Sequence, residues 1–306
     1  MRRRTFLGSA VGALAMAQTP PPIIDCHIHL FDPTRPQGVP WPPAGSEICK
    51  PTLPDRFRRM AAPLGVHGAI EIECSPWLED NQWVLDVAEK DRIIVGTVGN
   101  LEPGTPDFAR QLERFHRNPL FRGIRYGNLW GRSLAEDLAK PEFVAGLKLV
   151  ADAGLVLDTA NPDPALIATV VRVTDGVPAL RVVIDHLPQC NPPSEGAARK
   201  QYDRDLRELA ARPQVYVKIS QVLRRVDGRV PRDLAFYRPR LDELWDLFGE
   251  DRLLYGSDWP NSDPFAPYDV VLALVREYFA GKGSAAAAKY FAANSQAAYR
   301  WAERKA

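Results

Sequence analysis

A chain of 306 residues, 45% hydrophobic and 25% charged, has the make-up of an ordinary globular protein and is long enough for one large core. Its 39 basic and 38 acidic side chains leave a net charge of +1, which removes any electrostatic case for nucleic acid or an anionic membrane as partner. Disorder is excluded on the same grounds.

The first residues read as a separate object. Arg3-Arg4-Thr5-Phe6-Leu7 has the form of a twin-arginine export signal, and the small apolar stretch Gly8 to Ala17 follows it. Ala15-Met16-Ala17 supplies the small-x-small pattern of a signal-peptidase site. The expectation is a signal over 1–17, a mature chain over 18–306, and a periplasmic or secreted location. The apolar stretch is too short for a membrane span, which needs roughly 20 residues. No cysteine follows the cleavage point, so no lipid anchor is expected. A twin-arginine signal also implies export of an already folded chain, which suits a protein loaded with a cofactor beforehand. Four cysteines remain, Cys26, Cys49, Cys74 and Cys190, with no CxxC and no zinc-module spacing. Cys26 and Cys74 read as small buried residues, and a Cys49–Cys190 bridge stays open.

After the signal the chain alternates. Short apolar runs cover Ile23–Leu30, Gly68–Glu73, Ile93–Val98, Gly123–Tyr126, Leu155–Thr159, Val182–His186, Val215–Ser220 and Leu253–Asp258. Helical periodicity lies between them, over Gln82–Lys90, Asp107–His116, Phe143–Ala153, Tyr202–Ala211 and Tyr237–Phe248. Strands alternating with helices predict βα units and a parallel sheet. The runs are apolar along most of their length, as strands covered on both faces should be. Eight such units fit a closed (β/α)8 TIM barrel in one domain. The Pro-rich segment Asp32–Pro54 and the insertion Pro188–Lys200 fall where barrel loops shape a catalytic mouth. Ser284–Arg304 reads as a helix packed on the outside.

Polar residues sit at the ends of these strands. His27 and His29 are two apart, so both are expected on one face. His186 ends the sixth strand and Asp258 the eighth. One histidine at a strand end is commonly structural; four such groups converging on one mouth make a site.

With these residues in view, the chain resembles the amidohydrolase superfamily, in particular the amidohydrolase-related branch of 2-pyrone-4,6-dicarboxylate lactonase and sugar-acid lactonases. The likeness runs from Ile24 to about Trp301. Its carriers are Asp25-Cys26-His27-Ile28-His29, Gly123-Ile124-Arg125, Asp185-His186, Tyr216-Val217-Lys218-Ile219-Ser220 and Gly256-Ser257-Asp258-Trp259-Pro260. The binuclear members carry a carboxylated lysine on strand four and a histidine on strand five; here Arg125 and Leu157-Asp158-Thr159-Ala160 stand in those places. The resemblance therefore implies one divalent ion, zinc by donor type, or none. His27, His29, His186 and Asp258 are its implied ligands, with Glu73 as an additional candidate. Glu73 could equally orient a histidine.

The implied reaction is water attack on a lactone carbonyl. Asp258 would act as general base, and His27, His29 and His186 would polarise the carbonyl through a metal or as direct donors. Arg125 suits a substrate carboxylate, or an ion pair with Asp158 or Glu73. Tyr126, Asn128, Arg132, Asn161 and Trp259 are candidates for lining a polar pocket, and each could equally be loop structure. Lys218 faces either the interior or solvent. His67 and His116 receive no role. Two other functions compete: a decarboxylase of the same superfamily, and a periplasmic binding protein that has lost catalysis. The expected partner is a small lactone or carboxylate; a homo-oligomer is left open.

Overall fold

A computed structural model describes residues 22–304. The twin-arginine segment lies outside them. Eight parallel strands form one sheet in sequence order: β1 Ile23–Ile28, β2 Val66–Ile72, β3 Ile94–Gly99, β4 Phe121–Arg125, β5 Val156–Asp158, β6 Arg181–Ile184, β7 Val215–Ile219 and β8 Leu253–Tyr255. The sheet closes on itself. His29 N donates to Trp259 O at 2.8 Å and Asp258 N to His27 O at 2.8 Å, and Ile28 bridges Trp259 in parallel. The outer ring comprises α1 Pro54–Ala61, α2 Asp80–Lys90, α3 Phe108–His116, α4 Leu134–Asp137, α5 Pro141–Asp152, α6 Pro164–Gly176, α7 Gly196–Ala210, α8 Leu234–Phe248 and α9 Tyr268–Ala280. This is the (β/α)8 barrel the alternation predicts. No helix among the described residues is long and apolar enough to cross a membrane.

The strands stop earlier than the apolar runs suggest. Tyr126, Thr159, His186, Ser220 and Asp258 all lie just past a strand rather than in it. Hydrophobicity continues into these residues because they remain buried under the loops. Four helices, α1, α4, α6 and α9, fall outside the periodic stretches; α1 and α6 open on a proline at their first turn, a position where its missing N–H costs nothing.

Two apolar layers hold the fold. The larger lies between strands and helices. The smaller fills the barrel with Ile24, Cys26, Ile70, Ile72, Val95, Val98, Val156, Val183 and Leu254. Each such side chain contributes roughly 1.5–3 kcal/mol by leaving water. The C-terminal segment departs from expectation. It is α10 Ser284–Ala288, a π turn over Lys289–Ala293, and α11 Asn294–Tyr299. It does more than pack outside, because Ala298 and Tyr299 close the inner cluster from below. The Tyr299 hydroxyl donates to Asp158, with Oδ2 at 2.8 Å. All four cysteines are free thiols, so there is no Cys49–Cys190 bridge.

Candidate active site

Beyond the strand ends the backbone turns sharply. Asn161, His186, Gln221 and Asp258 follow β5, β6, β7 and β8 by two or three residues, with φ of 51°, 53°, 48° and 62°. Trp130 shares this left-handed conformation at 59°. Among the described residues, five of the seven non-glycine positions with positive φ therefore line one cleft. Such conformations cost of order 1–3 kcal/mol each, so their concentration at one mouth points to function. The physical effect is to aim each side chain at the barrel axis.

His27 and His29 reach the same point from β1, but not by simple alternation. The pairing of β1 with β2 slips by one residue between Asp25 and Ile28. A bulge of this kind re-aims a side chain. It lets His27 face inward although Cys26 already belongs to the inner cluster. Gly256 makes room across the closure: a Cβ there would lie 2.8 Å from that of His27.

Asp258 is the centre of the group. Its Oδ1 lies 3.1 Å from His29 Nε2, 3.4 Å from His27 Nε2 and 3.8 Å from His186 Nε2. Its Oδ2 accepts from Gln221 Nε2 and from Asn261 Nδ2. All four central residues are at most 4% exposed. The tautomer of His29 follows from its partner: Nδ1 sits 2.8 Å from Ile72 O, a carbonyl that can only accept, so Nδ1 carries the proton. Its Nε2 faces Asp258 Oδ1 at 3.1 Å, a contact that a proton or a cation between the two atoms satisfies.

His27 Nε2 is buried without a hydrogen-bond partner. Its Nδ1 lies 3.3 Å from Lys218 Nζ, an ammonium that can only donate, and 3.6 Å from Asp185 Oδ2, while Nε2 faces Asp258 Oδ1 at 3.4 Å. Burial pushes the His27 pKa well below its ordinary value, against the pull of Asp185. Burial likewise lowers that of His186 to about 4, although Asp258 and Asp185 oppose it. Asp258 goes the other way: burial disfavours its charge, yet His186, His29 and His27 hold its pKa well below the carboxylate range. Two imidazoles kept neutral by burial, His27 and His186, beside an ionised carboxylate are what cation binding needs. His27, His29 and Asp258 present ligand atoms within 4.8 Å of one another and fit a divalent cation, with His186 alongside.

A second set, His27, Asp185 and His186, is equally compact, but its charge is already met. Lys218 Nζ lies 2.9 Å from Asp185 Oδ1 and 2.6 Å from Asp158 Oδ2. Arg125 Nε approaches Asp185 Oδ2 at 3.2 Å. Two fixed cations already balance the charge of Asp185, so the site suits one metal.

Comparison with known proteins identifies the family. The family model described as amidohydrolase matches residues 24–301. The chain belongs to the amidohydrolase family. An L-fucono-1,5-lactonase of Burkholderia ambifaria is 31% identical over 249 residues, covering 78% of this chain and 80% of its own. An L-fucono-1,5-lactonase of Burkholderia multivorans is 28% identical, covering 86% and 90%. A crystal structure of an amidohydrolase from Burkholderia multivorans with bound zinc has the same fold, at a TM-score of 0.80 and 24% identity, covering 92% of this chain and all (100%) of the other.

Over Asp258 the amidohydrolase opens a cleft of about 160 Å3. Arg125 and Asn161 line it as expected, but other sequence candidates do not. Tyr126 points outward, packs on Phe143 and donates to Asp137 Oδ2 at 2.5 Å, because Arg125 before it takes the inward position. Arg132 donates to Asn100 Oδ1 at 2.6 Å, away from the cleft. Asn128 ties the neighbouring loops together, reaching Asn161 O and Asp163 Oδ2. Trp259 is fully buried against Phe57, since the turn at Asp258 sends the next side chain outward. Glu73 stands apart from the imidazoles, its Oε2 accepting from Trp130 Nε1 at 3.1 Å and from Ser75 N at 3.1 Å.

Several wall residues escaped the sequence reading. Trp41 comes from the Pro-rich loop and meets the His29 ring edge-on at 5.5 Å. Gln221, Asn261 and Trp130 belong to loops without periodicity. Ser220 Oγ lies 2.7 Å from His186 Nδ1 and orients that ring. The run of left-handed positions was the missing signal, and only backbone coordinates show it.

Proposed function

We propose that this amidohydrolase hydrolyses a small lactone, a sugar-acid lactone in the first place. The observation that carries the reading is the convergence of three imidazole Nε2 atoms on Asp258 Oδ1 beneath a polar cleft. The likeness to two L-fucono-1,5-lactonases supports the substrate class. Zinc is the cation we assign, from two or three imidazoles and a carboxylate as donors.

Bound by His27, His29 and Asp258, zinc would supply Lewis acidity to the lactone carbonyl. Asp258 divides its two oxygens: Oδ1 faces the imidazoles, while Oδ2, on the side of Gln221 and Asn261, takes a proton from the attacking water. Water oxygen bonds to the carbonyl carbon, the ring C–O bond breaks, and the departing alkoxide recovers that proton. Arg125 and Asn161 hold ring substituents so that the carbonyl carbon faces the water. The product is the open-chain hydroxy acid, which releases a proton at neutral pH.

A panel of aldonic and pyrone lactones, followed at pH 7–8 with a proton-release indicator, tests the activity. Turnover of none of them, with CO2 release from an aromatic acid instead, would replace this reading by the decarboxylase one. The metal is tested separately. About one equivalent of divalent ion is expected in the purified protein, and its removal by a chelator should abolish turnover until zinc is returned. His186→Asn should lower the ion content. A metal-free wild type with full activity would leave the imidazoles as direct donors to the oxyanion.

Export through the twin-arginine route is part of the proposal, supported by Arg3-Arg4 and Ala15-Met16-Ala17. Lysine at both Arg3 and Arg4 should leave precursor in the cytoplasm; unchanged periplasmic accumulation would refute it.

A further inference from the structure

The floor of the barrel gathers positive charge that nothing beside it neutralises. The catalytic residues follow the C-terminal ends of the parallel strands, so the segments that enter β4, β5 and β6 lie at the opposite end of the molecule. A cavity of about 180 Å3 opens there, with His116, Asn118, Arg122, Gly154, Tyr299 and Arg300 in its walls. That is room for several waters or one tetrahedral oxyanion. Among the described residues no carboxylate lines it.

Two of the walls are guanidinium groups, which cannot shed their charge. Arg122, the second residue of β4, is half-buried. Its Nε is shut from solvent without a hydrogen-bond partner, which leaves the terminal nitrogens as the donors a ligand can reach. Burial alone lowers its pKa, and no neighbouring carboxylate opposes that fall. Arg300 comes from the other side, in the left-handed turn that ends α11, with φ of 54°. Arg181 crowds the same floor, donating through Nε to Ala298 O at 2.8 Å and through a terminal nitrogen to Gly154 O. Burial lowers its pKa as well, and the nearby charge of Arg300 adds to the effect. Two glycines make room for the cations: a Cβ on Gly96 would lie 2.9 Å from Arg122 Cγ, and one on Gly154 would lie 3.2 Å from Arg300 Nη1. A cation drawn partly out of water without a counter-charge is unfavourable, and an apolar side chain would line this floor without that cost.

We propose that the floor cavity binds one doubly charged phosphate group, free or as a monoester, between the guanidiniums of Arg122 and Arg300, with Arg181 adding charge. A guanidinium fork matches phosphate oxygens in pairs. The ligand would also clamp the end of the chain, because Arg300 directly follows Tyr299, whose hydroxyl reaches Asp158 inside the barrel. None of the residues at the catalytic mouth takes part, so the proposal stands or falls apart from the lactonase reading.

The test is calorimetric titration of the full chain with inorganic phosphate at constant ionic strength, potassium chloride being the balancing salt. One saturable phosphate is expected at the floor, bound at least about tenfold more tightly than acetate, which brings a single charge. Arg122→Met keeps the stem of the side chain, and Arg300→Asn suits the left-handed turn. Each should weaken phosphate binding about tenfold or more, as expected for a lost hydrogen bond to a charged group, and leave turnover in phosphate-free buffer unchanged. Phosphate that binds undiminished in both variants sits elsewhere, on the cation of the catalytic cleft for instance, and would overturn the proposal; so would an equal response to chloride. Acetate bound as tightly as phosphate would overturn the doubly charged ligand. Glycerol phosphate separates the two sources: affinity equal to that of phosphate assigns the floor to a monoester, and affinity tenfold weaker assigns it to the free ion. Thermal melts give an independent reading, because a ligand held only by the folded chain raises its melting temperature. Without phosphate Arg122→Met should melt at or above the wild type, and in saturating phosphate the order should reverse. A variant that melts lower even without phosphate would show that the protein itself already satisfies Arg122, and the site would be lost.

Discussion

Asp258→Asn should lower kcat by about 10² to 10⁴, the usual consequence of losing a general base, while KM moves much less. Asparagine keeps the shape of the side chain, and its oxygen can still accept from Gln221 and Asn261. Its amide NH2 then takes the place of Oδ1, 3.1 Å from His29 Nε2. The variant thus satisfies the hydrogen bonds that hold the mouth together, yet it removes both the proton acceptor and the negative charge that draws a cation between Asp258 and the imidazoles. The two losses are separable. Ion content measured beside kcat shows whether the variant still loads metal; a loaded but slow enzyme assigns the defect to proton transfer. Retention of more than about a tenth of wild-type turnover would move the base elsewhere. Glu73 is not among the residues that line the cleft over Asp258 and is poorly placed to inherit the role.

What was legible in the sequence follows a physical line. The eight strands are buried on both faces, so their apolar runs stand out and their order alone gives the barrel. His27, His29, His186 and Asp258 were legible because a charged or titratable group in an otherwise apolar run demands a reason. Beyond the strand ends that contrast is lost. Tyr126 and Trp259 follow site residues in sequence, yet each turns away from the cleft, and Gln221 and Asn261 turn toward it. Which way a loop side chain points depends on left-handed backbone turns that leave no period to read. The bulge in β1 is a second instance: alternation alone puts His27 and His29 on one face, but with Cys26 outside, whereas the slip lets Cys26 and His27 both face inward. Tyr299 was missed for a different reason. Its partner Asp158 is 141 residues away, and a helix at the chain end looks the same whether it covers a barrel or plugs it.

The largest stability effect should come from Lys218→Met. Lys218 is fully buried with its ammonium shared by Asp158 and Asp185, at 2.6 and 2.9 Å. Burial works against the ammonium, but the two carboxylates outweigh it and hold its pKa above the ordinary lysine value. Once Asp158 is ionised, the two carboxylates balance Lys218 and Arg125 inside the barrel. Methionine fills nearly the same volume but strands a carboxylate, and breaking a buried pair from one side costs about 3–5 kcal/mol. For a domain of this size the melting temperature should fall on the order of 10 °C. Asp158→Asn in the same chain should return a good part of that loss, since the amide still accepts from Tyr299 while Asp185 keeps Arg125. The pH dependence has a definite sign. Burial raises the Asp158 pKa to about 7 even with Lys218 opposing it. Without the ammonium that pKa rises further, and a folded-state pKa above the unfolded one means stability is lost as pH rises through it. Below pH 7 both folded proteins hold Asp158 protonated, so the deficit of the variant should grow by on the order of 1 kcal/mol between pH 6 and pH 8. Thermal melts of wild type, single and double variants at those two pH values measure this directly. A deficit under about 1 kcal/mol at pH 8 would show that the two carboxylates share a proton, and that the lysine is not what balances the barrel interior.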